Sequence, residues 1–159
     1  MAVLRASGSI YDGFSPRGQR ALADLRAAFQ AAGFYAEKER STERSLRVYP
    51  EKRWRYPLLN PSLVGARQRS PSPVEGRSVL CPIYSDGDAQ ITQVLQSLPA
   101  LNGAQYFAAP PRPPSRYFLH GYVVLPLSFV GDPRAQIVDF APLTPVLSTL
   151  QLQLSRVGF

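Results

Sequence analysis

The sequence predicts an α+β domain: a mainly antiparallel sheet with two amphipathic helices and long proline-rich extended arms. Three observations predict it. The longest apolar run, Tyr117 to Val130, is dense in aromatic and β-branched residues and contains Pro126, which a helix interior would not tolerate. Residues 16–32 and 89–98 repeat apolar side chains at helical spacing. Sixteen prolines, about double the ordinary usage of roughly 5%, cluster at 50–73, 110–114, 126 and 133–145. Such stretches stay extended and cannot pair fully inside a sheet, so they read as connections that run over a surface.

Residues 1–14 carry isolated apolar side chains and the turn-like Asp12-Gly13, the pattern of an arm or a short edge strand. Ser15-Pro16 then supplies an N-cap followed by proline at the first helical position. Leu22, Leu25, Phe29 and Ala32 keep helical spacing, and Gly33 closes the helix with Phe34 placed to meet Phe29. From Phe34 to Tyr49 the pattern predicts two strands joined through Glu39-Arg40-Ser41-Thr42-Glu43, with Leu46 and Val48 alternating with Arg47 and Tyr49.

Residues 50–77 change character and predict an extended basic loop rich in proline, serine and arginine. Val79 to Tyr84 reads as a strand kinked at Pro82. Ser85-Asp86-Gly87-Asp88 turns the chain into a second helix, with Ile91, Val94, Leu95 and Leu98 on one face and Pro99 ending it. Residues 104–107 predict a short strand. The run 117–130 is then the central strand, flanked by Pro110 to Pro114 and by the turn Gly131-Asp132-Pro133-Arg134, and 135–140 should return antiparallel to it. Leu150, Leu152 and Leu154 alternate strictly, which predicts a last strand over 149–156 with one wet face.

At 159 residues the chain, 1–159, is read as a single domain able to bury a core. No apolar run reaches the roughly 18–20 residues of a membrane helix, and residues 1–8 lack the basic-then-apolar order of a signal peptide. One cysteine, Cys81, excludes an internal disulfide and fits a reducing compartment. The net charge of +7 is unevenly placed. Residues 1–77 hold fourteen basic and seven acidic side chains, and 78–159 hold four of each, so the excess lies wholly in the first half.

The candidates for chemistry are few. His120 is the sole histidine. Asp139 on the next strand would have to orient it, and Ser128 or Cys81 would have to act as nucleophile, so it reads as a structural residue. Cys81 in an apolar strand reads as a small buried hydrophobe with a raised pKa. Asp86 and Asp88 read as a turn and a helix cap rather than a cation site. No metal or cofactor is expected, and an enzyme ranks last among the function classes.

The recognition signal lies in Lys52, Arg53, Trp54, Arg55 and Tyr56, with Arg67 and Arg69 beyond them. Arginine neutralises phosphates while interleaved aromatic rings stack on bases. Leu58, Leu59, Leu63 and Val64 are the large apolar residues of that loop, which casts them as anchors entering a partner's groove. Together these features predict a non-enzymatic structural subunit of a large assembly, a virion component of the neck, tail or capsid-associated kind in a tailed phage. The alternative is a basic nucleic-acid-binding module using residues 44–77. The expected partners are copies of the chain and other subunits of the assembly, with nucleic acid possible through the basic half and no membrane. The expected place is the virion or the host cytoplasm.

Overall fold

The computed structural model describes residues 8–38, 45–51, 58–64, 78–85, 104–108 and 118–157, and its first regular element is set by local chemistry. Helix α1 (Pro16–Ala31) starts at Ser15, whose hydroxyl oxygen accepts the Gly18 N–H at 2.9 Å. Proline occupies the first helical position, where no backbone donor is needed. At the other end Gly33 adopts φ +100°, its N–H reaches Gln30 O, and the Phe34 N–H reaches Phe29 O at 3.1 Å. That closure turns the Phe34 ring onto Phe29, with centroids 5.3 Å apart and planes at 72°.

The expected hairpin follows. Strands β1 (Tyr35–Lys38) and β2 (Leu46–Tyr49) pair antiparallel, Tyr35 opposite Tyr49 and Lys38 opposite Leu46. Leu46 turns both backbone groups away from β1: its N–H donates to Pro61 O and its carbonyl accepts from Asn60 Nδ2. By alternation Ala36 points its own carbonyl outward, at the edge of the sheet. There it accepts from Arg26 Nε at 3.0 Å and Gln30 Nε2 at 3.3 Å, both on α1.

The loop expected over 50–77 is not continuous. Within it Leu58–Leu59 forms β3, paired with β2 and with β5 (Ser78–Ser85), and Ser62–Val64 forms β4, paired with β5 and bridged through Ser62 to Ser45. Asn60-Pro61 breaks the ladder between β3 and β4. Pro82 of β5 faces that break: its carbonyl accepts from Asn60 N at 3.0 Å, so the side on which it lacks a donor is the side where the ladder is interrupted. The strand therefore carries its proline without losing a bond to its other neighbour. That neighbour is β7 (Phe118–Pro126), and β6 (Gln105–Ala108) pairs with β7 in turn.

All pairings are antiparallel, and the order is β1-β2-β3-β5-β7-β6 with β4 beside β5. The run expected to be the central strand is thus next to an edge, and β5 lies inside it. It also ends sooner. Pro126 closes β7, and Ser128–Phe129 continues as β8, which leaves the main sheet and pairs with β9 (Val138–Asp139) in a separate two-stranded ribbon. The return strand expected over 135–140 exists, shortened to two residues by a 3-10 turn at Pro133–Ala135.

The second correction concerns the C-terminus. Residues 149–156 are not a strand; helix α2 spans Thr144–Val157. Val146, Leu147, Leu150 and Leu154 are buried at spacings of one, four and eight from the first of them, while Leu152 is exposed. An alternating Leu-x-Leu-x-Leu satisfies a strand pattern, but leucine favours helix over strand, and Pro145 sits in the first turn, where proline is tolerated. The helix expected at 89–98 and the prolines at 110–114 lie outside the described residues.

The two helices among the described residues cover one face of the sheet. Leu22, Leu25 and Phe29 of α1 and Leu147, Leu150 and Leu154 of α2 join Leu46, Val48, Leu59, Leu63, Val79, Cys81, Ile83, Val123 and Leu125 in one core. Every second strand residue contributes, as a pleated sheet requires. The alternating set on the opposite face contains Tyr49, Leu58, Leu80 and Val124, which are buried as well. Residues 8–14, expected as an arm, fold onto the start of α1. Ile10 is in the core, and the Asp12 carbonyl packs so close to Gly18 that a side chain there would collide with it. Among the described residues no helix is long and apolar enough to cross a membrane.

Cys81 supports a direct test. Burial pushes its thiol well above the ordinary range, and no part of the side chain reaches solvent. The folded protein should resist iodoacetamide at pH 8, with labelling at Cys81 rising steeply only in denaturant. Rapid labelling under native conditions, read by mass spectrometry, would contradict the placement.

Candidate interaction surface

The residues cast as anchors are placed inside the chain itself. Leu59 and Leu63 belong to the core beneath the helices, Leu58 is buried on the opposite face, and only Val64 is partly exposed. Leu58, Leu59 and Leu63 therefore cannot enter a partner's groove without leaving their own sheet. Strand pairing is what fixed them: Leu59 stands opposite Val48 of β2 and Ile83 of β5, Leu58 opposite Tyr84, and Leu63 opposite Val79. Lys52, Arg53, Trp54, Arg55, Tyr56, Arg67 and Arg69 lie outside the described residues.

His120 sits at a β-bulge. Ile83 pairs with Gly121 and Tyr84 with Leu119, which leaves His120 as the extra residue of β7. It is buried, and its carbonyl accepts a hydrogen bond from the Tyr106 hydroxyl at 3.0 Å. Burial raises the pKa of that phenol. Gly121 is needed beside it, because a Cβ there would stand 2.4 Å from Phe107 O and 2.8 Å from the Tyr106 ring. Asp139 is engaged elsewhere, its Oδ1 accepting from Ala141 N at 3.0 Å. Cys81 faces the helix side of the sheet, opposite Val123. These side chains serve three separate local structures. Among the described residues there is no group of three His, Cys, Asp or Glu able to hold a metal ion.

What the structure does assemble is a groove that the sequence reading missed. It opens between α1 and the β8–β9 ribbon, with a volume of about 390 Å³. Arg17, Arg20 and Asp24 line the α1 side. Ala135, Gln136, Ile137, Val138 and Phe140 line the ribbon side, and Ile10 and Ala21 complete the lining. The helix presents those charges because 17, 20 and 24 form the stripe next to the buried row 18, 21, 22, 25 and 29. Among the described residues neither guanidinium has a carboxylate or hydrogen-bond partner.

The opposite wall is held in shape at a cost. Gln136 adopts φ +55°, a region that side chains other than glycine's enter at roughly 1–3 kcal/mol. Its Oε1 accepts the Ile10 N–H at 3.2 Å, which ties the ribbon to the segment before α1. Asp132 starts the turn below, accepting from Arg134 N at 2.9 Å, and Val130 N closes the ribbon on Ile137 O at 2.8 Å. Val130 and Ile137 are thereby set together, and each is more than half exposed, at 54% and 57%. The spacing of α1 and the turn Gly131 to Arg134 were both visible in the sequence. Their meeting was not, because it depends on a contact 126 residues apart.

No protein-family model, no curated protein and no solved structure matches the chain.

Proposed function

We propose that the chain is a non-enzymatic structural subunit of a larger assembly, a virion component of the neck, tail or capsid-associated kind in a tailed phage. The observation that carries the assembly reading is the apolar pair Val130 and Ile137, exposed side by side at the end of the β8–β9 ribbon. Single exposed apolar residues are ordinary, but two set opposite each other on a hydrogen-bonded ribbon beside an open groove suit a protein contact. The proline clusters at 50–73 and 110–114 of the sequence have the composition expected of extended connections that would lie along neighbouring subunits. Copies of the chain and other subunits would be its partners, in the virion or in the host cytoplasm before assembly.

Co-expression with the products of the adjacent genes, followed by native mass spectrometry, tests the reading. The expected result is a defined complex that Val130→Asp with Ile137→Asp disrupts while the variant alone stays folded. A chain that stays monomeric in every combination would overturn it.

One observation favours a second reading, a nucleic-acid module using 44–77. On β2, Arg47 donates from Nη2 to the Tyr49 hydroxyl at 3.0 Å, and the Tyr35 and Tyr49 rings stand 6.4 Å apart. This basic and aromatic strand leads directly into Lys52 to Tyr56. Binding of a labelled single-stranded oligonucleotide that weakens steeply with salt and is lost in Arg53→Ala with Arg55→Ala would put this reading first.

A further inference from the structure

We propose that the groove between α1 and the β8–β9 ribbon binds an extended segment of a different protein, one that alternates apolar and acidic side chains. The inference rests on the assembly reading for its biological setting, and it names the chemistry of the partner at that surface. Three independent features point to it. The lining supplies apolar contact through Ile10, Ala21, Val138 and Phe140, in a space suited to a few side chains. Arg17 and Arg20 stand one turn apart at the rim, with no partner for either guanidinium among the described residues. A planar five-donor fork is built for carboxylates, and two in a row match carboxylates spaced along an extended peptide. Gln136 holds a disfavoured backbone conformation that shapes the wall, and such outliers concentrate at ligand clamps.

Charge decides between occupants. A second copy of the chain would bring a net +7 to a rim already carrying two arginines against one aspartate, Asp24. An acidic partner is attracted by the same field.

The test is a titration of the full chain, isotopically labelled, with a synthetic hexapeptide alternating aspartate and leucine, followed by amide chemical shifts. The expected result is shifts confined to residue 10, residues 17–24 and residues 135–140, with asparagine in place of aspartate weakening binding by roughly tenfold or more. Arg17→Glu with Arg20→Glu should abolish the shifts. Glutamate at 17 falls in the first helical turn, where an acid is favourable and none stands now, and both positions are exposed, so the variant should stay folded. Ile137→Ser provides a second variant, remote from the helix, that should weaken binding while leaving the charges in place. Equal binding of the asparagine peptide, shifts elsewhere in the chain, or indifference to both variants would overturn the proposal. So would concentration-dependent shifts at the same amides without peptide, which would make the occupant a second copy. A chain that binds the peptide yet forms no complex with its neighbours would keep the groove assignment and remove only the assembly reading.

Discussion

Phe29→Ala is expected to lower the free energy of unfolding by about 3–5 kcal/mol, the range for emptying a fully buried aromatic site. Phe29 has no exposed surface, lies in the core under the sheet, and meets Phe34 edge-on at 5.3 Å. The substitution leaves the backbone closure at Gly33 intact, because that bond uses the Phe29 carbonyl rather than its ring. What is lost is ring packing against the sheet and the apolar contact that fixes the direction in which the chain leaves the helix. Urea unfolding measures it, with an unchanged denaturant slope as the sign that only the native state has been affected. Phe14→Ala is the control: that ring is 63% exposed, and its removal should fall within about 0.5 kcal/mol. A loss under about 1 kcal/mol at Phe29 would mean that α1 is not docked on the sheet.

The second large effect separates helix from strand at the C-terminus. In α2, Leu154 is fully buried and Leu152 is 49% exposed. Leu154→Ala should therefore cost about 2–5 kcal/mol, and Leu152→Ala should stay near 0.5 kcal/mol. A strand would place 150, 152 and 154 on one face, and the two substitutions would then cost alike. Equal losses would restore the strand and remove the helix.

The pair also shows where sequence pattern stops being informative. The start and stop of α1 were legible because Ser15-Pro16 and Gly33-Phe34 act within a few residues of themselves. The β1–β2 hairpin was legible because Leu46 and Val48 alternate with Arg47 and Tyr49, and β5 and β6 because short apolar runs mark them without reference to the rest of the chain. Residues 150–154 were not, since Leu150, Leu152 and Leu154 fit the strand period while Leu147, Leu150 and Leu154 fit the helical one, and burial against the sheet chose between them. Leu58, Leu59 and Leu63 were set among basic and proline-rich neighbours, so composition hid two short strands whose backbone partners are distant. The groove was the least legible feature. Neither wall announces the other in the sequence, and the Gln136 to Ile10 bond that ties them spans 126 residues.

The bonds from Arg26 and Gln30 to Ala36 bear on how the chain avoids sticking to itself. A strand at the border of a sheet is a template for any passing chain, and soluble proteins must blunt it. Here the outward carbonyl of β1 is already occupied by two side-chain donors from the helix beneath. Extension of the sheet past β1 would have to break both. The protection is conditional, since it exists only while α1 is docked, and a state with α1 loosened would expose the border and the helix's apolar stripe together.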